Sequence, residues 1–279
     1  MALQYKDDSL SAIKYGCQTY TWQMSYARYS QRLDHIMDVA AESGFTGIEP
    51  EICMLGRYKH DPRALAADLQ RRGLALGALC LVCDWLSPQE SLEERTEADR
   101  VIACIRSHFP GTLLALCQMP QDDRSSLRER QANCLACCRA IGSRAADQGI
   151  QTAFHPNSPP GSVFRTAEDY AVLMDGLAAG PVGFAPDAGH IARGGMSPVE
   201  IFAEYAPLIR HVHFKDMNAE SAWVEMGQGC IDFAGIIKAL DAQNYNGWIM
   251  IEDESSRAEV DPDEVTRLNG RYVGNLRSS

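Results

Sequence analysis

The run Gly183-Phe184-Ala185-Pro186-Asp187 decides the fold, together with Ile209-Arg210-His211-Val212-His213-Phe214-Lys215 and Trp248-Ile249-Met250-Ile251-Glu252. Each is a short apolar run that ends in side chains able to bind a metal or move a proton. Side chains on a strand alternate between two faces. His211, His213 and Lys215 therefore share one face, with Arg210, Val212 and Phe214 on the other. The same count groups Gly183, Ala185 and Asp187, small residues leading to a carboxylate in a crowded interior. Three successive strands deliver Asp187, His213 and Glu252 to their C-terminal tips, which is where a parallel barrel keeps its active site.

Working outward, strands are expected at Ile13 to Trp22, Phe45 to Glu51, Leu74 to Trp85, Thr112 to Met119, Ile150 to His155, Val182 to Asp187, Ile209 to Lys215 and Gly247 to Glu252. Helical spacing of apolar residues fills the intervals: Gln31 to Glu42, Pro62 to Arg72, Glu90 to His108, Asp122 to Gln148, a helix opened by Thr166-x-x-Asp169, another opened by Ser197-Pro198, Phe233 to Asp241, and Pro262 to Arg271. Eight strands alternate with eight helices, and no Pro-, Gly- or Ser-rich linker interrupts them. The expectation is an α/β protein, one (β/α)8 TIM barrel in a single domain over residues 1–279. No Gly-x-Gly-x-x-Gly turn follows the first strand to support a dinucleotide fold.

The composition suits such a barrel, with 46% hydrophobic and 23% charged residues in 279. The net charge of -11 argues against a nucleic-acid or anionic-membrane partner, because both need a basic face. The N-terminal MALQYKDDSLSAIKYG lacks the pattern of a secretory signal, and no apolar run is long enough to span a membrane, so a soluble cytoplasmic protein is expected. The ten cysteines, including Cys80-x-x-Cys83 and Cys134-x-x-Cys137, read as small buried residues rather than disulfides or zinc ligands.

Asp187, His213 and Glu252 offer hard oxygen and borderline nitrogen donors, a set suited to one divalent ion: Mn2+ first, with Co2+, Mg2+ or Zn2+ as alternatives. His155 ends the fifth strand where a fourth ligand would stand, and His190 lies three residues beyond Asp187. Each has a bland reading as well. Asp187 and Glu252 are helix-cap candidates, His211 lies one layer deeper as a structural residue, and Lys215 is either an electrophile for an oxyanion or a solvated strand end. Glu49 and Glu51 share a face with Gly47 and are either substrate contacts or loop carboxylates. Trp22, Trp85, Trp223 and Tyr20 are sugar-stacking or core residues. Arg193 stands alone, a substrate contact rather than a phosphate site.

Asp187-x-Gly-His190, His211-Val-His-x-Lys-Asp216, Gly227-x-Gly-x-x-Asp-Phe233 and Tyr245-x-Gly-Trp-x-x-x-Glu252 together resemble the xylose isomerase-like TIM-barrel superfamily of sugar isomerases, epimerases and inosose dehydratases. Gly44-Phe45-Thr46-Gly47-Ile48-Glu49 resembles that superfamily's second strand. The resemblance implies Asp187, His213 and Glu252 as metal ligands and His190 as a substrate contact. The 26 residues from Asp187 to His213 fit the epimerase pattern. The fifth strand departs from it, carrying His155 where those epimerases carry a Glu that serves as ligand and as one of two acid/base groups. His155 is then a ligand or an acid/base group, in the manner of the inosose dehydratases.

The reading expected from these residues is a metal-dependent isomerase or epimerase of a sugar, keto-sugar or cyclitol acting through an enediolate, with Glu252, His155 and Lys215 as the chemical groups. A dehydratase of the inosose dehydratase type is the first alternative, and a non-catalytic barrel that binds a sugar or a partner is the second. Homo-oligomerisation through the outer helices is open.

Overall fold

The computed structural model describes residues 13–276. The N-terminal residues read above for a signal lie mostly outside that range. Eight parallel strands close a ring: β1 (Lys14–Gln18), β2 (Gly47–Glu49), β3 (Ala75–Leu76 and Ala78–Cys83, interrupted at Gly77), β4 (Leu113–Gln118), β5 (Thr152–Phe154), β6 (Val182–Phe184), β7 (Val212–Phe214) and β8 (Trp248–Ile251). β8 pairs with β1 in parallel, Lys14 opposite Trp248 and Cys17 opposite Ile251. Two seams are held by fewer bonds. The Cys80 amide donates to Pro50 O across β2 and β3 at 3.0 Å, and the His213 amide donates to Pro186 O across β6 and β7 at 2.9 Å.

The eight outer helices are α1 (Leu33–Glu42), α2 (Pro62–Arg72), α3 (Leu92–His108), α4 (Leu127–Ala146), α5 (Ala167–Ala178), α6 (Pro198–Glu204), α7 (Phe233–Asp241) and α8 (Pro262–Leu276). Local chemistry sets where they begin. Asp61 caps α2, Ser91 and Glu94 form a reciprocal capping box on α3, and Ser197 caps α6 with Pro198 in its first turn. The Asp169 carboxylate accepts from the Thr166 amide at the start of α5.

Several boundaries differ from the sequence reading. The first strand stops at Gln18, because Thr19 turns the chain into a helical turn, Tyr20–Gln23, that carries Trp22. The long helix begins at Leu127 rather than Asp122, because Asp123 accepts from the Ser125 amide and holds the preceding residues in a turn. β6 ends at Phe184, so Asp187 stands beyond the strand and meets His213 through an isolated bridge. An extra helix, Ala188–Arg193, follows it.

Outward residues of the strands pack on the helices: Phe214 lies among Phe202 of α6 and Phe233 of α7, each at most 1% exposed. Burying each such ring contributes about 1.5–3 kcal/mol. Inward positions on β3 to β6 are small, with Ala78, Cys80, Ala115, Cys117, Ala153 and Ala185 in one cluster. The floor is made of larger groups. Arg210 donates to the carbonyls of Thr152 and Pro181 at the N-terminal ends of β5 and β6, and Trp248 is covered by Lys14. Gly47 leaves room for the Trp248 ring, since a Cβ there would stand 2.4 Å from it. Gly47→Ala is therefore expected to cost about 1–3 kcal/mol by overpacking. Thermal unfolding checks it, with Trp248→Leu expected to restore most of the loss in the double variant.

Candidate metal centre and active site

The C-terminal tips of β5 to β8 bring four side chains together. One donor atom each from His155, Asp187, His213 and Glu252 lies within 4.8 Å of the others, and all four residues are buried. Asp187 serves in two ways. Its Oδ1 accepts from the His190 amide at 2.8 Å, capping the helix Ala188–Arg193, while Oδ2 is buried without a hydrogen-bond partner. The cap reading is realised on Oδ1, and Oδ2 is left available to a metal. His155 Nδ1 and His213 Nδ1 are likewise buried without a hydrogen-bond partner. Asp187 Oδ2, 3.9 Å from Lys215 Nζ, and His213 Nδ1, 3.4 Å from Glu252 Oε2, have only these long contacts, and with His155 Nδ1 they are buried polar atoms that a cation would satisfy. The residues present therefore fit a divalent ion.

Beneath this cluster lies Glu49, fully buried, whose Oε2 meets His211 Nε2 at 2.5 Å and His213 Nε2 at 3.0 Å. Burial alone would raise the Glu49 carboxyl, but the charge and hydrogen bonds of the two histidines outweigh it and hold it well below the usual range. An ionised carboxylate only accepts, so both imidazoles donate to it through Nε2. That fixes the His213 tautomer and turns Nδ1 toward the cluster, the arrangement by which carboxylates orient metal-binding histidines. Burial lowers His213, yet Glu49 and Glu252 together raise it to about 10. The field that would hold a proton there holds a metal cation equally well, with proton release on binding.

Lys215 is wholly buried and fully engaged. Its Nζ donates to Glu252 Oε1 at 2.8 Å, to His190 Nε2 at 3.0 Å and to Glu254 Oε1, and lies 3.9 Å from Asp187 Oδ2. Burial would strip its proton, but Glu252, Glu254 and Asp187 outweigh that and raise its pKa above the ordinary lysine value. Burial also opposes ionisation of Glu252, and Lys215 and His213 overcome it, keeping the carboxyl well below its usual range. His190 stays neutral because burial, then Lys215 and His155, push it well down; its Nδ1 pairs with Ser158 Oγ at 2.8 Å. His155 is pushed down to about 3 by burial and then His213, so it presents a free lone pair.

The predicted residues thus separate. Asp187, His213, Glu252 and His155 come together as a group able to hold a metal, with Lys215 and His190 beside it. Glu49 does not face substrate, because the two histidines cover it. Trp22 is not a stacking wall either: it is 0% exposed and donates to Asp263 Oδ1 on α8 at 2.7 Å. Trp223 takes that place, edge-on to His190 at 5.5 Å with Arg193 3.9 Å from its ring centre. Glu51 is 8% exposed and pushed up to about 7, first by burial, with Glu252 and Glu49 adding to it against a hydrogen bond from Gln23. Glu254 was missed by the sequence reading, although continuing the alternation two residues past Glu252 points to it; Ser158 had no signal at all.

Asp216 explains the Gly227-x-Gly motif structurally. Its Oδ2 accepts from the Gly227 and Gly229 amides, and a Cβ at Gly229 would meet Asp216 Oδ1 at 2.1 Å. All ten cysteines are free; seven are buried as the sequence reading expected, whereas Cys53 and Cys230 are exposed and Cys104 is half-buried. Among the described residues no helix is long and apolar enough to cross a membrane.

The model of the xylose isomerase-like TIM barrel family matches residues 37–272. This chain belongs to that family. Among curated proteins, it is 26% identical over 281 aligned residues to an inosose dehydratase of Clostridium botulinum (strain Alaska E43 / Type E3), covering 86% of this chain and 92% of that protein. It is 31% identical over 151 residues to an inosose dehydratase of Clostridium beijerinckii, and there the match spans 48% of this chain and 50% of the relative. The crystal structure of the IOLI protein with a bound zinc atom shares this xylose isomerase-like fold at a TM-score of 0.76 and 16% identity, over 95% of this chain and 98% of that one.

Two outcomes follow from this geometry. Asp187→Ala and His213→Ala are expected to abolish binding of a divalent ion while the barrel stays folded, and Glu49→Gln to weaken it about 10–100-fold; elemental analysis and chelator competition measure both. Glu51 has a raised folded-state pKa, so its ionisation opposes folding. Wild type should equal Glu51→Gln below the ordinary carboxylate value and lose about 3 kcal/mol relative to it as pH rises from 4.5 to about 7. Chemical denaturation at pH 5 and pH 8 reads the difference.

Proposed function

We propose that this chain is a divalent-metal-dependent dehydratase acting on a keto-cyclitol of the inosose class, by proton removal beside the carbonyl and loss of a β-hydroxyl. The observation that carries the reading is His155. The fifth strand supplies an imidazole to the ligand group, where two-base epimerisation would need a carboxylate. The named relatives are inosose dehydratases, which supports the same choice over the isomerase or epimerase first expected.

A divalent ion bound by His155, Asp187, His213 and Glu252 supplies Lewis-acid polarisation of a carbonyl and of an adjacent hydroxyl. Both zinc and manganese suit two imidazoles and two carboxylates. Glu49 holds His213 in the tautomer this requires. Lys215 is a fixed cation that orients Glu252 and Glu254; it helps hold Glu252 ionised, while burial and the neighbouring Glu252 leave the Glu254 carboxyl above its ordinary range. The proton leaving carbon passes to that carboxylate pair. Glu254 stands at its accessible edge, with 20% side-chain exposure against 5% for Glu252. Trp223 and Arg193 close the rim over His190 and limit water.

The metal-loaded protein is expected to convert inosose to a 2-hydroxyenone, the enol form of a 1,2-diketone, with a new ultraviolet absorbance, and Glu254→Gln to lower kcat about 10²–10⁴-fold with metal content unchanged. Isomeric sugar products without loss of water, from the same protein, would instead support the epimerase reading.

A further inference from the structure

Elimination needs an acid for the departing hydroxyl as well as a base for the carbon acid, and the groups assigned above leave that role open. Four glutamates lie toward this end of the barrel, and three are held by basic side chains: Glu49, the deepest, by His211 and His213, Glu252 and Glu254 by Lys215. Glu51 is different. It lies two residues beyond Glu49 and on the same face, bridged in register to Cys80, whose side chain belongs to the barrel interior. Its Oε2 accepts from Gln23 Nε2 at 2.8 Å and lies 3.6 Å from Cys53 Sγ. Burial disfavours its ionisation most, and the charged groups acting on it, Glu252 and Glu49, are both negative; the hydrogen bonds from Gln23 and Cys53 offset this only in part.

Two further observations turn this carboxyl toward a ligand. Gln23 Oε1, on the amide that holds Glu51, is buried without a partner, an acceptor positioned for a hydroxyl. Cys53 and Ile52, beside Glu51, line an open cavity of about 940 Å³ that also takes in Val82, Asp84 and Gln89. Glu51 itself is 8% exposed, adjoins these lining residues in sequence, and is close enough to Glu252 of the metal-binding group to feel its charge.

We infer that Glu51 is the general acid that protonates the leaving β-hydroxyl, with Gln23 accepting a neighbouring substrate hydroxyl. The inference rests on the dehydratase reading. After the α-proton has gone to the Glu252–Glu254 pair, the enolate electron pair re-forms the carbonyl and the double bond moves to the α and β carbons. The β carbon–oxygen bond breaks with its pair on oxygen. The Glu51 proton joins that oxygen, water departs, and Glu51 is left as a carboxylate. The proton taken from the α carbon restores it through solvent, so one turnover consumes no net proton.

The test compares metal-loaded wild type with Glu51→Gln, using inosose in deuterated water and following enone absorbance together with deuterium in recovered inosose. Glu51→Gln is expected to keep its metal, to melt no lower than wild type, and to exchange the α-proton within a few-fold of wild type. It should lose dehydration by about 10²–10⁴-fold. Dehydration by Glu51→Gln within threefold of wild type would overturn the role of Glu51 and leave the dehydratase reading standing. Loss of exchange together with dehydration at unchanged metal content would also overturn it, since an acid for the leaving group acts after proton removal. A wild type that binds metal but neither exchanges nor dehydrates inosose defeats both readings together. If Glu51→Gln does not fold, Glu51→Asp, which withdraws the carboxyl by one methylene, is expected to show the same selective loss at about tenfold, and equal loss of exchange overturns the role there too.

Discussion

A fully buried carboxylate, Glu49, held between His211 and His213, is the interaction on which the rest of the site depends. A carboxylate placed in a barrel interior without partners is untenable, and removing one member of a buried ion pair costs about 3–5 kcal/mol. Glu49 therefore forces two histidines on β7 to face inward and donate through Nε2. His213 then has no freedom of tautomer, and its Nδ1 is directed at Asp187, His155 and Glu252. A structural requirement two layers below the mouth thus sets the geometry of the ligand group.

Much of this is written in alternation along a strand. His211, His213 and Lys215 share a face because they are two residues apart, and so do Glu49 and Glu51. Asp187 and Glu252 were found as carboxylates just beyond apolar runs. What alternation does not give is which partner a side chain meets across the ring. Glu49 reads as a substrate contact until β2 is seen to face β7 across the interior. Trp22 and Trp223 are equal as sequence. The chain turns at Thr19, carrying Trp22 beneath the site to Asp263, whereas Trp223 lies in a hairpin beyond β7 and reaches the rim. Strand ends were overestimated because apolar residues continue past the last ladder bond, as at Val182 to Asp187. Where the chain leaves the sheet to enter a helix, no apolar residue marks the change.

The two halves of the barrel interior divide the work. Alanines and cysteines on β3 to β6 keep the wall thin at the mouth, and Trp248, Met250 and Arg210 plug the floor. Small residues near the top leave the buried carboxylates and imidazoles in contact with one another rather than with hydrocarbon. Close packing below denies water a route from the opposite end. The stability of the barrel and the polarity of the site are supplied by different layers of the same strands.

Among the described residues three groups of side chains at this end could hold a metal, and they differ in how far their members already satisfy one another. Glu49, His211 and His213 are bonded to each other. His190, Glu252 and Glu254 surround the Lys215 ammonium, which supplies the positive charge that group would otherwise draw from solution. In the group His155, Asp187, His213 and Glu252, the first three retain atoms without a hydrogen-bond partner. Lysine in place of a second ion gives the site a charge that neither dissociates nor exchanges, and it binds Glu252 to Glu254 through one shared donor. With Lys215 and His190 saturating each other, neither is free to give or take a substrate proton. The acid/base work then falls to carboxylates: to Glu252 and Glu254 on one wall, and on the other to Glu51, the glutamate at this mouth that no cation holds.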